Sequence, residues 1–341
     1  MSRLIESLEL KNFGPIHELK CANLGSINLI IGHNGTGKTI LLKALYSAMR
    51  TLEEYKRGNE PRSASEILAD KLYWTFETEK IGDIVSKGSD TPLSFQIKLD
   101  GRDFSYGFGK DTTKSIQTLE NHVLPRQSNS IFLPTKEVMS LHHIILESRE
   151  QSKTFGFDDT YLDLARAIRQ SPKGGKNFKH FANARSSLEN ILDGKVEYDE
   201  KSGHWQFKKG NQKFPIGLTA EGIKKIAILD TLLGNRYLDT NSVVFIDEPE
   251  SALHPDAISK LLNIVALLAD CGIQFFMASH SYFVIKKLFL IAQEKSDLQI
   301  SIIYEEGDRW HTANLRDGLP DNPIIDESIR LYKEEVELAL K

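Results

Sequence analysis

The chain has 341 residues, 40% of them hydrophobic, which is ample for a packed core in one large domain or two ordinary ones. Its 43 basic and 47 acidic residues leave a net charge of −4, so no global positive field holds nucleic acid and any such contact must use a local patch. Cys21 and Cys271 lie far apart and outside metal-ligand spacing, which argues against a disulfide framework or a zinc site and favours a reducing cytoplasm.

The opening "MSRLIESLELKNF" alternates apolar positions with acids, which predicts a strand and not a secretory leader. "INLII" (27–31) is a short apolar run of the kind buried on both faces of a sheet, and "ILLKALYSAM" has helical spacing at Leu41, Leu42, Leu45 and Met49. Between them Gly32, Gly35, Gly37, Lys38 and Thr39 fit the P-loop pattern, in the strand–loop–helix order that the pattern requires. Without side chains at 35 and 37, the loop can curl until successive N–H groups and the helix start face one anion. Asn34, Gly35, Thr36, Gly37, Lys38, Thr39 and Ile40 are thus the expected phosphate-binding residues. Lys38 would reach the β- and γ-phosphates, and Thr39 would offer its hydroxyl to Mg2+.

Residues 53–90 are polar and mixed, whereas "PLSFQIKLDGRDFSYGFG" (92–109) alternates around Asp100-Gly101 and predicts a hairpin. Residues 130–150 predict a strand and then a helix started by Pro134, with Leu141, Ile144 and Ile145 on its apolar side. Residues 160–193 have helical spacing broken by "SPKGGKN", and 194–214 predict another hairpin. From 171 to 213 there are nine Lys and Arg against five Asp and Glu, interleaved with Phe178, His180, Phe181, Trp205 and Phe207. Such a stretch could hold nucleic acid, charges on phosphate and rings on bases; an arm with an aromatic core is favoured, because the excess is small and hairpins bury rings on one face.

"SVVFIDEPE" (242–250) predicts a buried strand ending in two acids, the strand end at which α/β folds place ligands. Asp247 fits a magnesium-holding carboxylate and Glu248 a base that polarises the attacking water. A third strand, "IQFFMASH" (273–280), ends at His280, placed to sense a γ-phosphate if the three strand ends share one edge. "NIVALLA" (263–269) is too short to span a bilayer, so no membrane embedding is expected. A helix at 282–293, a strand at 299–304 and a tail helix with Ile324, Ile325, Ile329 and Leu331 as apolar contacts complete the chain.

"GHNGTGKT", "FIDEPESALHP" and "MASHS", with the opening "LELKNFGPI", resemble the nucleotide-binding core of ABC-type ATPases, in the non-transporter branch with RecF, SMC proteins and OLD-type nucleases. The resemblance implies an α/β P-loop NTPase: an ABC-type head with a mixed sheet core, an antiparallel β lobe and an inserted helical arm. The expected divisions are 1–150 (P-loop and lobe), 151–215 (arm and hairpin) and 216–341 (signature, Walker B, D-loop, switch histidine and tail). It also implies ATP as substrate, catalysis by Glu248 and His280, a D-loop at Ser251 to His254, and Asn12 and Phe13 near the base. "LTAEGIKKIAIL" (218–229) stands where the family carries its signature; aligned on Gly222, Ala220 replaces the signature serine, leaving Thr219 as a possible substitute, while the resemblance implies that the backbone amides and helix dipole at Gly222 meet a γ-phosphate bound to another subunit. Gln96, Gln117 and Gln127 all stand as candidates for the Q-loop glutamine.

The function implied is an ATP-hydrolysing switch that assembles as a homo-oligomer, dimer or higher, through sandwiched nucleotide. It would control a separately encoded effector such as a nuclease or toxin, in bacterial phage defence or a toxin–antitoxin module. The residues after His280 are too few for the metal-binding nuclease domain of OLD enzymes, which is why a separate effector is expected. A RecF-like DNA-processing ATPase is the alternative, with DNA a possible partner. A transporter's energy subunit is disfavoured by the degraded signature and the "LHP" D-loop, and a non-hydrolysing scaffold by the presence of Glu248 and His280.

Overall fold

The computed structural model describes residues 5–59, 61–171, 181–307 and 309–340. The opening alternation becomes a hairpin of β1 (Ile5–Phe13) and β2 (Ile16–Cys21), in which Phe13 faces Ile16 across the turn. β3 (Ile27–Ile31) is buried along its whole length and feeds the P-loop, after which α1 (Lys38–Glu54) begins directly at the lysine. α2 (Ala64–Phe76) arises within the polar stretch for which the sequence suggested no element. Ser63 and Glu66 cap its start reciprocally, and Ile67, Leu68 and Leu72 give it a buried side.

β4 (Leu93–Leu99) and β5 (Arg102–Phe108) meet at Asp100 and Gly101, whose φ values of 49° and 74° are those of a two-residue type I′ hairpin. β6 (Thr118–Asn121) and β7 (Ile131–Leu133) follow, then α3 (His142–Leu146). The helix expected from Pro134 starts only at His142, and Ile144 is exposed instead of joining Ile145 in the core. α4 (Asp159–Ile168) is capped by Asp158, and α5 (Ala182–Leu192) leads to β8 (Lys195–Asp199), β9 (His204–Lys209) and β10 (Gln212–Pro215). These three strands form a meander, not a single hairpin, because Gly210 turns the chain back a second time with positive φ.

α6 (Glu221–Gly234), β11 (Val243–Asp247), α7 (Pro255–Asp270), β12 (Gln274–Ser279), α8 (Tyr282–Glu294), β13 (Ile300–Glu306), β14 (Arg309–Asn314) and α9 (Pro323–Ala339) complete the described chain. β14 extends the sheet beyond the last expected strand. On α9 Ile325 is buried, but Ile329 and Leu331 are exposed, so that most of the tail helix covers nothing in its own chain.

Two larger sheets result. β2-β1-β4-β5-β6 is an antiparallel lobe, and β14-β13-β3-β12-β11-β7 is a mixed sheet, parallel from β13 to β7 with β14 antiparallel on its edge. Alternation along the buried strands sorts their side chains between two cores. Ile30, Phe245, Phe276 and Ile303 pack with α1, α2 and the antiparallel lobe. Leu29, Val244, Ile246, Phe275 and Met277 pack with α4 to α8. Phe181, Trp205 and Phe207 belong to this second core, so these rings serve packing and are not presented to bases; Phe178 and His180 lie outside the described residues. Among the described residues no helix is long and apolar enough to cross a membrane.

Buried charges bind the P-loop helix to its neighbours. Asp163 of α4 accepts from Tyr46 at 2.6 Å, Arg50 at 3.2 Å and Lys71 at 3.2 Å, joining α1, α2 and α4 at one carboxylate. Lys43, one turn beyond Thr39, pairs with the helix-capping Asp158 at 2.6 Å.

Candidate nucleotide-binding and catalytic site

The parallel register puts the ends of three strands at one edge: Ala278 lies beside Asp247, and Ser279 beside Ile31. The P-loop leaves β3 at this edge. Gly37, with φ 100°, precedes α1 without any side-chain cap, and a Cβ there would come within 2.9 Å of Pro15 and Ile16. Only glycine meets both demands, and the uncapped first turn leaves backbone donors directed out of the helix. Asn34 and Gly35 are exposed, Thr36 closes the loop by donating its hydroxyl to the His33 carbonyl at 3.1 Å, and Ile40 packs partly against the lobe core. Lys38 folds over the loop, its Nζ donating to the carbonyls of Gly32 and His33 at 2.8 Å each. Partial burial lowers the Lys38 pKa, against the pull of Asp247 and Glu248.

Thr39 donates to Asp247, with both carboxylate oxygens at 3.1 Å, and Thr135, just after β7, lies 3.3 Å from Oδ2 of the same carboxylate. Burial raises the Asp247 pKa and nearby Glu248 raises it further, while the Thr39 bond opposes the shift. A hydroxyl beside a buried carboxylate is a hard oxygen donor set that suits Mg2+, an ion that keeps waters and takes its remaining ligands from phosphate. The residues therefore fit that ion. Glu248 follows in a left-handed conformation, φ 49°, with its N–H bonded to the Ala278 carbonyl at 2.9 Å. Its Oε1 is 3.5 Å from His280 Nδ1, and Glu250 Oε1 is 3.8 Å from the same nitrogen. Glu250 also accepts from the Ser279 hydroxyl at 2.7 Å and the His280 N–H at 3.3 Å, so it secures the chain on which the imidazole stands. Thr135, Glu250 and Lys225 are neighbours of the site that sequence reasoning passed over. The first two carried the strand-end signal used for Asp247 and His280, whereas nothing local marked Lys225.

Three of the expected residues have their side chains, or the space for one, committed elsewhere. Phe13 has no exposed surface and packs against Phe76 at 5.6 Å between ring centroids, so it offers no face for a base to stack on. Asn12 commits its side-chain amide to the Thr91 hydroxyl at 2.7 Å and the Pro92 carbonyl at 3.2 Å, pinning the lobe. At the start of α6, Gly222 is buried: a Cβ would lie 2.7 Å from both the Ala252 carbonyl oxygen and Leu253 Cδ2. Its missing side chain serves packing against the turn at Ala252 and Leu253 of its own chain. The Thr219 hydroxyl is buried and unpartnered, so it does not stand in for an exposed signature serine. Gly222→Ala is expected to destabilise the fold by about 1–3 kcal/mol through overpacking, read from the midpoint of urea unfolding. A midpoint unchanged from wild type would show that the contact yields freely. Within that turn Ala252 is again left-handed, φ 62°, and His254 caps α7 through Nδ1, which accepts from the Asp256 N–H at 3.3 Å.

Comparison with known proteins bears on this geometry. The family model described as "AAA domain, putative AbiEii toxin, Type IV TA system" matches residues 27–286, from β3 into α8. An ATP/GTP phosphatase of Helicobacter pylori is 20% identical over 334 residues, covering 86% of this chain and 89% of that protein. The DNA replication and repair protein RecF of Oceanobacillus iheyensis is 35% identical over 98 residues, which span 29% of this chain and 24% of RecF. Among solved structures, the Smc head bound to the C-winged helix domain of ScpA aligns at TM-score 0.53 and 13% identity, over 92% of this chain and 97% of that one, a likeness of fold. With most of its length inside the matched family and its fold that of an SMC-type head, the chain belongs to this AAA-domain family, as an ABC/AAA-type ATPase of the RecF/SMC-like branch.

Proposed function

We propose that the protein is an Mg2+-dependent, ATP-hydrolysing switch that assembles through nucleotide held between copies and controls a separately encoded effector, such as a nuclease or toxin, in the bacterial cytoplasm. The observation that carries the chemistry is the convergence of Lys38, Thr39, Asp247, Glu248 and His280 at one sheet edge. On nucleotide binding Lys38 exchanges its bonds to Gly32 and His33 for β- and γ-phosphate oxygens, and the uncapped amides of α1 meet the same anion. Thr39 and Asp247 would hold magnesium, which when bound would neutralise charge on the phosphates. Glu248 takes a proton from the water attacking the γ-phosphorus as the bond to the β–γ bridging oxygen breaks and ADP leaves, and His280 donates to a γ-phosphate oxygen as negative charge builds there.

Assembly is supported by the exposed Leu218 and Ala220 at the uncapped start of α6, the end that ABC-type ATPases bring to a neighbour's nucleotide. Because Gly222 is buried, this contact is assigned to the exposed start of the helix and not to Gly222. The toxin–antitoxin association of the matched family supports an effector held in check, and phage defence is the biology proposed for such control. A RecF-like DNA-processing role is the second reading, favoured by the local likeness to RecF and weakened by the burial of Phe181, Trp205 and Phe207.

ATPase rate and assembly mass, measured on the purified chain alone, with double-stranded DNA and with the product of the neighbouring gene, separate the two. A stable complex with the neighbour, and no DNA effect on the ATPase alone, is expected. Stimulation by DNA alone would favour the second reading.

A further inference from the structure

Glu248 holds a backbone conformation that side chains disfavour, and its two peptide groups are pinned from different elements. Its N–H donates to Ala278 on β12, while its carbonyl accepts from the Ser251 N–H at 3.0 Å and from Lys225 Nζ at 3.3 Å. Lys225 belongs to α6, the helix whose N-terminal turn packs through Gly222 on the D-loop. Among the described residues no carboxylate lies within ion-pair distance of its ammonium, whereas the adjacent Lys224 pairs with Glu137 at 3.2 Å. Burial lowers the Lys225 pKa, against the pull of Glu248, Glu250 and Asp247. A lysine partly buried without an ion pair, spending its charge on one carbonyl, is a costly arrangement unless that carbonyl must be held.

We propose that Lys225 is the positioning residue for Glu248: by holding the Glu248 carbonyl it fixes the turn from which the carboxylate is presented and ties the base to α6. This rests on Glu248 being the base. It gives α6 a direct route to the chemistry, since any displacement of its N-terminal end on assembly shifts Lys225 and with it the Glu248 backbone. Ser251 shares the carbonyl but moves with the same turn; Lys225 is the contact that arrives from outside it.

The test compares Lys225→Met and Lys225→Arg with wild type in steady-state ATP hydrolysis, in binding of a fluorescent ATP analogue, and in amide hydrogen exchange over residues 247–251. Lys225→Met is expected to lower kcat about tenfold or more at unchanged nucleotide affinity, because small displacements of a reacting group cost large factors in rate. It should also speed exchange of the Glu248 amide, and Lys225→Arg should restore most of both. In a Glu248→Gln background the Met substitution should add little, since both act through one group. Wild-type kcat in Lys225→Met, a loss of equal size in both backgrounds, or a fall in nucleotide affinity that accounts for the loss would each overturn the proposal. Should the Met variant fold poorly by its melting curve, Lys225→Gln keeps a polar end of shorter reach and carries the same expectation. If Glu248→Gln alone hydrolyses like wild type, the assignment of the base fails, and unchanged exchange at Glu248 would separately refute the Lys225 contact.

Discussion

Replacing Glu248 with Gln is expected to slow ATP turnover by roughly a hundredfold or more while nucleotide remains bound. The substitution keeps the size of the side chain and the left-handed turn but removes the group proposed to accept the proton of the attacking water. Lys38, Thr39 and Asp247 are untouched, so the proposed phosphate-binding parts survive and the proposed ATP-bound assembly should accumulate, visible as a higher mass in the presence of ATP. Lys38→Ala should separate from it cleanly. That change takes away the cation now folded over the Gly32 and His33 carbonyls, and binding of a fluorescent nucleotide should fall below detection at micromolar protein. Single-turnover rates and binding curves measured side by side distinguish the two. Equal turnover in wild type and Glu248→Gln would remove Glu248 from the mechanism.

Asp163→Ala is expected to cost about 1–3 kcal/mol of stability, because it removes charge-assisted hydrogen bonds to two buried cations that keep only Glu53, Glu54 and Asp159 as partners. Asp163 is almost fully buried, and Tyr46, Arg50 and Lys71 converge on it from two helices. Burial alone would raise the Asp163 pKa, but Lys71 and Arg50 hold the carboxyl well below the usual carboxylate range. Burial likewise opposes the charge on Lys71, and Asp163, Asp159 and Glu54 more than restore it. The signs fix the pH window. A depressed carboxyl contributes stability that is complete above its unfolded pKa of about 4 and is lost as pH falls through the lower folded value. The raised lysine contributes stability that is complete below its unfolded pKa of about 10 and is lost only at higher pH. Urea unfolding should therefore show the largest gap between wild type and Asp163→Ala across neutral pH, closing in acid. A gap that persisted undiminished at pH 2 would point to lost packing instead of lost charge.

The neighbours of Asp163 show why such a network cannot be seen in the sequence. Tyr46, Arg50, Lys71 and Asp163 lie on three separate helices, and each taken alone looks like an ordinary surface residue or half of a local helical pair. Lys225 is hidden for the same reason, being one of two adjacent lysines on a helix until the fold brings it to the Glu248 carbonyl. Gly222 shows the opposite failure. Its motif position suggested a phosphate contact, yet the close approach of Ala252 and Leu253 uses the missing side chain inside the chain. Phe13 and Asn12 were legible as a strand end beside the loop, but their side chains are spent on Phe76 and Thr91.

By itself the sequence determined what depends on neighbours along the chain. That covers the buried strands at 27–31, 243–247 and 274–279, the P-loop between strand and helix, the hairpin turn at Asp100-Gly101, and the polar residue types at three strand ends. These follow from periodicity, glycine conformation and the chemistry of phosphate, all of which act over a few residues. The tertiary structure alone decided which side chains share a space: that Thr39 and Thr135 meet Asp247, that His280 lies between Glu248 and Glu250, and that Lys225 reaches the Glu248 backbone. Those contacts depend on strand order, on register and on helices laid across the sheet, and a shift of one residue in pairing would turn each strand's side chains to the opposite face.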